Sequence, residues 1–195
     1  MILYLSIDTF SDNFGIAVID EEKVYGYVDY LKPKPFSEIL IIEIDNLFKT
    51  LQIEKQNIKG VIVNIGLGSN TGLRVGVITA KTISYSLNIP MYTYKTLDVM
   101  IHKYRHFCGN VIAAINIGKS RVAYKLKGEE GYNIKTFEDF KEYIQTLENT
   151  FVITKNLDLK GSVKLLTSLC IEGGFYCLEN KKEENPFFIE PLYHD

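Results

Sequence analysis

The stretch that decides the fold is GLGSNTGLRVGVITAK, residues 66–81. It follows residues 61–65, an almost continuously apolar run of the kind that forms a central strand covered on both faces. The glycines permit a tight connection and leave backbone amides able to bind an anion, although a plain chain reversal needs glycine equally. We predict a buried strand, a glycine-rich turn and a helix, in that order.

The helix predicted after this turn has one face made only of small side chains. They recur at intervals of four residues, at Gly72, Gly76, Ala80 and Ser84. A face without bulk lets a second helix approach closely. That neighbour is either the amphipathic helix predicted at 37–51 or a helix of another chain, and the sequence does not choose between them. The other faces carry Leu73, Val77, Ile78 and Ile83, which we expect to pack on a sheet.

The same two helices supply the remaining residues of a predicted partner interface. Arg74 and Lys81 are seven residues apart on one stripe, where they are either solvated or available to carboxylates or phosphates. On helix 37–51 the repeating apolar positions are Leu40, Ile44 and Leu47. With a helix of another chain as the neighbour, the small-residue face, these two cations and these three apolar residues are the predicted contacts with that partner.

Outward from this stretch, the hydrophobic pattern describes two similar halves. The first half predicts strands near 3–7, 14–19, 23–30, 61–65 and 91–94, with helices at 37–51, after residue 70 and at 97–107. The second half predicts strands near 111–117, 121–126, 132–137 and 151–154, with helices at 138–147 and 163–171. Each half thus has the order of three strands, a helix, a strand and a helix. This repeated order indicates an α/β protein of the actin-like (ASKHA) fold. It has two ribonuclease-H-like lobes, 1–100 and an abbreviated 101–195, each a mixed sheet with flanking helices.

Composition narrows the function classes. The chain has 195 residues, a net charge of −2 and 24% charged residues of both signs, so no basic surface for independent nucleic-acid binding is expected. No apolar run reaches the ~18 residues of a membrane helix, and the N-terminal residues have no signal-peptide pattern, so we predict a cytoplasmic protein without membrane contact. The cysteines at 108, 170 and 177 match neither a disulfide framework nor a zinc site and are interpreted as reduced structural thiols.

Three motifs resemble the TsaB (YeaZ) family. They are Ile7-Asp8-Thr9, the stretch 66–81 and Ile89-Pro90, in the family's order and spacing over residues 1–100. The remainder is similar only in outline, through Pro191-Leu192-Tyr193. Four residues differ from the usual family pattern: Leu67 and Asn70 replace its Pro and Phe, Phe36 its His, and Asn116 the Asp of the second lobe.

The resemblance implies a non-catalytic partner protein. It would be required, with a TsaD-like catalytic subunit, to form threonylcarbamoyladenosine (t6A) on tRNA, and it would not be an enzyme by itself. A TsaE-like ATPase is expected in the assembled complex, a homodimer in isolation, and tRNA contact only through the complex.

No metal site is predicted. In the related catalytic TsaD proteins, a metal-binding HxxxH would fall on Thr96 and Met100 here, and neither residue is a preferred metal ligand. His102 and His106 have helical spacing but stand beside cationic residues, so we interpret them as surface histidines.

Nucleotide binding by the isolated chain is not expected either. Asp8, Thr9, Gly68 and Ser69 are the candidate contacts for an anion or nucleotide. Because Asn116 removes the second magnesium-binding acid of an actin-like ATPase, we predict no tightly bound cofactor, with ATP or ADP only at a partner interface. Two alternatives stay open: an actin-like ATPase or phosphotransferase, and a divergent homodimeric interaction module without a role in tRNA modification.

Overall fold

A computed structural model describes residues 2–10, 13–31, 35–67 and 70–192. Its elements up to residue 103 are β1 (Leu3–Asp8), β2 (Asn13–Ile19), β3 (Val24–Leu31), α1 (Phe36–Leu51), β4 (Ile58–Gly66), α2 (Asn70–Leu87), β5 (Met91–Lys95) and α3 (Thr96–Lys103). They are followed by β6 (Asn110–Asn116), β7 (Arg121–Leu126), β8 (Asn133–Thr136), α4 (Phe137–Gln145), β9 (Thr150–Lys155), β10 (Val163–Lys164), α5 (Cys170–Asn180) and β11 (Glu183–Glu184). Short 3-10 turns lie at Lys55–Asn57 and Pro186–Phe188.

The chain folds into two compact units, and the first is built on a six-stranded mixed sheet. This unit contains the residues up to Thr96 and those from Thr167 on, with strand order β11-β5-β4-β1-β2-β3. β1, β2 and β3 form an antiparallel meander, whereas β4 lies parallel to both β1 and β5. A strand at the centre of a parallel set is covered on both faces, which explains the continuous apolar run of β4.

Helices cover both faces of this sheet. Leu5 and Ile7 of β1 belong to a core that also contains buried residues of α1 and α2. Ser6 points to the other face, where it lies against Gly174 of α5. Among the described residues no helix is long and apolar enough to cross a membrane.

The second unit, Leu97–Leu166, contains a five-stranded sheet in the order β10-β9-β6-β7-β8. β6 lies antiparallel to β7 and parallel to β9. The core of the unit packs α4 on one face of the sheet through Phe140, Tyr124 and Ile112. α4 begins where the Thr136 hydroxyl accepts a hydrogen bond from the Asp139 N–H at 3.1 Å. The strands and helix predicted between 111 and 154 are confirmed.

The C-terminal helix α5 corrects two expectations. The helix predicted at 163–171 is wrong, because Val163–Lys164 pairs with β9 and the helix begins only at Cys170. The predicted second lobe, 101–195, also needs correction, because the chain from Thr167 on packs in the first unit.

Two carboxylates hold the start of α5 in the first unit. Asp8 accepts a hydrogen bond from the Leu169 N–H at 2.5 Å, and Asp29 accepts one from the N–H and one from the hydroxyl of Ser168, both at 2.7 Å. Negative groups are favoured at the positive end of a helix. These contacts join residues 161 and 139 positions apart, so no local sequence pattern indicates them.

The three cysteines are free thiols. Cys170 and Cys177 are buried on α5, and this burial raises the pKa of both thiols, that of Cys177 to about 12. The interpretation as reduced structural thiols is confirmed for these two residues. Cys108 is exposed, so the structural role does not extend to it.

The close approach of α5 to the sheet generates a stability prediction at Gly173. In an ordinary helix, alanine in place of glycine is favourable by up to about 1 kcal/mol. At Gly173 the added Cβ would lie 2.3 Å from the Tyr94 ring, so the ring or the helix would have to move. We expect Gly173→Ala to lower the free energy of unfolding by about 1–3 kcal/mol in urea denaturation.

The control for this prediction is Tyr94→Leu, which removes the ring. Gly173→Ala should cost less in that background than in the natural chain. If Gly173→Ala alone were as stable as the natural chain, the close packing of α5 on Tyr94 would be contradicted.

Candidate partner-binding surface

The small-residue face of α2 is buried inside its own unit. A Cβ on Gly76 would lie 2.4 Å from the Thr9 hydroxyl oxygen, and a Cβ on Gly72 would lie 2.4 Å from the Thr9 carbonyl oxygen. Ala80 and Ser84 are also buried, and the Ser84 hydroxyl donates a hydrogen bond to the Ile89 carbonyl at 2.6 Å. The expectation that this face meets a partner is therefore corrected, because its lack of bulk serves the close approach of α2 to the end of β1.

The predicted apolar residues of α1 are likewise internal. Leu40, Ile44 and Leu47 are buried in the same core. Of the predicted interface residues, Arg74 is exposed and Lys81 is half-buried, both on α2. Both cations therefore lie at least partly at the surface of the first unit.

The apolar surface that α1 and α2 present to solvent consists of other residues. Ile78 is 62% exposed and Tyr85 is 77% exposed on α2, while Ile41 and Ile42 are exposed on α1. We call these four side chains the outer face. Large apolar groups clustered on a surface are typical of binding sites.

Two features of the sequence explain why the prediction does not contain the outer face. Ile78 is predicted to pack on the sheet, although it lies two positions, about 200°, from the buried Gly76 on a helix and is exposed in the structure. On α1, the run from Ile39 to Ile42 contains more consecutive apolar residues than one buried stripe needs, and this excess was the available signal.

A groove between α1 and α2 continues the outer face. Its volume is about 550 Å³, and its lining includes Ile41, Ile42, Ile83 and Leu87. At its edge Lys49 forms an ion pair with Asp45 at 2.6 Å, and the hydrogen bond from Lys49 lowers the pKa of that carboxyl. The groove is thus apolar inside and charged along its border, which suits an amphipathic helix.

The predicted anion or nucleotide contacts do not form an open site. Asp8 is fully buried, and its carboxylate accepts hydrogen bonds from the Phe10 N–H at 3.0 Å, the Asn64 amide at 2.9 Å and the Leu169 N–H. Thr9 is buried beneath Gly76. Gly68 and Ser69 lie outside the described residues. The expectation for Asp8 and Thr9 is corrected, because their polar atoms are enclosed by the protein.

The positions that correspond to the TsaD histidines are part of the buried core. Thr96 and Met100 are buried, and the Thr96 hydroxyl lies 3.1 Å from the Asn64 amide nitrogen. Within the described ranges, no group of three or more His, Cys, Asp or Glu residues is arranged to hold a metal ion. In the second unit, the Asn116 side chain accepts a hydrogen bond from the Gly118 N–H at 2.7 Å and so shapes its own hairpin turn.

Comparisons with known proteins point to one family. The family model "TsaD: tRNA N6-adenosine threonylcarbamoyltransferase" matches residues 20–142. The tRNA threonylcarbamoyladenosine biosynthesis protein TsaB of Bacillus subtilis is 33% identical over 119 residues, which cover 60% of this chain and 52% of that protein. TsaB of Buchnera aphidicola subsp. Acyrthosiphon pisum is 23% identical over 198 residues, covering 96% and 88%. The chain spans about half the length of the first two curated relatives it matches.

A solved structure supports the fold separately. YeaZ from Pseudomonas aeruginosa has a TM-score of 0.78 over all of both chains at 12% identity. At 12% identity, this similarity shows that the two proteins share a fold and nothing further. The predicted actin-like α/β fold, with two mixed sheets and flanking helices, is confirmed.

Fold and surface together define an actin-like protein with an apolar helical face and a buried Asp8 carboxylate. The sequence match over residues 20–142 then identifies the family. The chain belongs to the TsaD family of tRNA N6-adenosine threonylcarbamoyltransferases, and its resemblance to the TsaB (YeaZ) members is confirmed.

The burial of Asp8 leads to a prediction that distinguishes a structural role of this carboxylate from a role in cation binding. In Asp8→Asn, one acceptor oxygen is replaced by an amide that cannot accept the hydrogen bond of a buried N–H. We expect the free energy of unfolding to fall by about 1–3 kcal/mol in urea denaturation. Addition of magnesium should not change the melting temperature of Asp8→Asn or of the natural chain.

Asp158→Asn is the matched control, because Asp158 is exposed and pairs with Lys164 at the surface. Its effect should stay below about 1 kcal/mol. Equal stabilities of Asp8→Asn and the natural chain, with magnesium stabilising only the natural chain, would contradict the structural role.

Proposed function

We propose that this chain is a non-catalytic partner that binds a TsaD-like transferase and is required with it for t6A formation on tRNA. The observation that carries the proposal is the outer face, four large apolar side chains held in solvent by α1 and α2 of a TsaB relative. The enclosed Asp8 and the buried Thr96 and Met100 support a role without chemistry of its own.

The partner would bury the outer face with helices of its own. Rigid apolar anchors near the centre of an interface carry most of its binding energy, and Ile78 and Tyr85 have the exposure and the placement on one helix for this role. The groove beside them would receive apolar side chains of a partner helix. Arg74 and Lys81, on the same helix, favour acidic groups opposite them.

The effect on the transferase would be conformational. A partner that binds one state of the transferase more tightly shifts its population toward that state. The gain in activity of the transferase is then limited by the difference between the affinities of this chain for the two states of the transferase. This mechanism needs no exposed catalytic group on the present chain.

The complex with the transferase would contain further components. A TsaE-like ATPase would join the complex, tRNA would be contacted only through the complex, and any ATP or ADP would lie at a partner interface. In isolation the outer face would pair with a second copy, so homodimer and heterodimer would compete for it. The protein would act in the cytoplasm.

The proposal is tested with Ile78→Glu and the TsaD-like transferase from the same organism. A buried glutamate without a partner is costly at an apolar interface, so we expect the Kd in calorimetry to rise at least about 100-fold. Because Ile78 is exposed, the variant should keep the circular dichroism spectrum and unfolding midpoint of the natural chain. Leucine at Gly76 would be unsuitable, since it would disturb Thr9 and hence the fold.

Ile134→Glu is the control, an exposed isoleucine on β8 of the second unit. It should bind the transferase as the natural chain does. In cells that depend on this protein, t6A measured by mass spectrometry of tRNA digests should fall with Ile78→Glu and persist with Ile134→Glu. Normal binding and normal t6A with Ile78→Glu would overturn the proposal.

A further inference from the structure

The most exposed aromatic side chains lie on the outer face and beside it, not within the groove. In the described chain the three most exposed large hydrophobic residues are Phe188 at 83%, Tyr85 at 77% and Phe187 at 76%. Tyr85 belongs to the outer face. The two phenylalanines belong to the 3-10 turn Pro186–Phe188.

This turn is held firmly at both ends. Before it, β11 pairs with β5, and after it Ile189 is buried in the core of the first unit. The Asn185 side chain accepts a hydrogen bond from the Phe187 N–H at 3.0 Å, which fixes the start of the turn. Beyond it, the Leu192 N–H donates to the Ile65 carbonyl at 2.6 Å. The two rings are therefore displayed by an anchored segment, and their exposure is not that of a loose end.

The turn is continuous with the outer face through α2. The rings of Tyr85 and Phe187 meet edge to face, with centroids 6.3 Å apart. A shallow depression of about 850 Å³ separates the turn from α2, and it shares Thr82 and Ser86 with the groove on the other side of the helix. The end of α2 thus lies between the apolar groove and this depression, whose apolar lining is Tyr85, Ile89, Pro186 and Phe187.

We propose that Phe187 and Phe188, together with Tyr85, form a second contact for the same partner protein, which grips α2 from both sides. We call these three rings the aromatic patch. The inference rests on the proposed function and extends it to a part of the chain that lies about 100 residues from α2 in sequence.

The size of the surface supports this extension. A stable interface buries roughly 800 Å² on each partner. Aromatic side chains bury about 150–250 Å² each, so three rings add on the order of 450 Å². Added to the exposed Ile41, Ile42 and Ile78, the aromatic patch brings the summed area of the exposed apolar side chains on these elements toward the size that stable association needs.

Charge favours a protein as the occupant. Lys81 is the one charged residue that lines the described depression, and the whole chain has a net charge of −2. A surface that binds single-stranded nucleic acid combines aromatic rings with several cations along the backbone. The matching partner surface is an apolar segment with an acidic side chain opposite Lys81.

The test compares Phe187→Ala/Phe188→Ala with the natural chain, using the TsaD-like transferase from the same organism. We expect the Kd in calorimetry to rise at least about tenfold, because exposed aromatic anchors are frequent hot spots. The unfolding midpoint should stay unchanged, since both rings are exposed. Tyr27→Ala, an exposed aromatic residue on β3 of the same unit, is the matched control and should leave the Kd within twofold.

The outcomes separate this inference from the proposed function. If Ile78→Glu abolishes binding while the phenylalanine variant binds as the natural chain does, the second contact is overturned and the proposed function stands. If the natural chain does not bind the transferase at all, both fail. If the variant binds the transferase normally but the assembled complex binds tRNA more weakly, the aromatic patch is a nucleic-acid surface and the present inference is overturned.

Discussion

The first unit depends on one buried carboxylate, that of Asp8. It ends β1, accepts a hydrogen bond from Asn64 of β4, and accepts another from the N–H of Leu169 directly before α5. A buried charge is costly unless hydrogen-bond donors compensate it, and here three donors of the protein surround it. The contact therefore brings the C-terminal part of the chain back to the first sheet after the second unit has been completed.

The close approach of α2 to β1 determines what the surface offers. Gly72 and Gly76 lie against Thr9, where a side chain would clash, so this face of the helix can approach the end of β1 closely. Ile78 and Tyr85 then point away from the sheet, because the geometry of a helix leaves them on the far side. The small residues that first suggested a docking face thus act indirectly, by fixing the orientation of the side chains that are exposed.

The sequence predicted local structure better than long-range placement. Alternation and helical period located the strands and helices of 3–154, because burial on one side of an element leaves a repeating pattern, although α3 ends at Lys103 and not at residue 107. The helical period also showed that one face of α2 consists of small residues, but it carries no information on which neighbour that face contacts. The position of α5 depends on Asp8 and Asp29, whose contacts cross more than 130 residues. The exposed turn at Pro186–Phe188 has no periodic signal at all.

A buried hydrogen-bond network links Asp8, Asn64 and Thr96 in the first unit. Asn64 donates to the Asp8 carboxylate and also lies within hydrogen-bond distance of the Thr96 hydroxyl. A threonine fits this buried network because its hydroxyl both donates and accepts, whereas a metal-binding histidine would need an open ring nitrogen and a second ligand that Met100 does not supply. The Thr96 side chain thus helps to close the core of the first unit. The apolar surface that the first unit presents to other molecules lies elsewhere, on the exposed side chains of α1, α2 and the 3-10 turn.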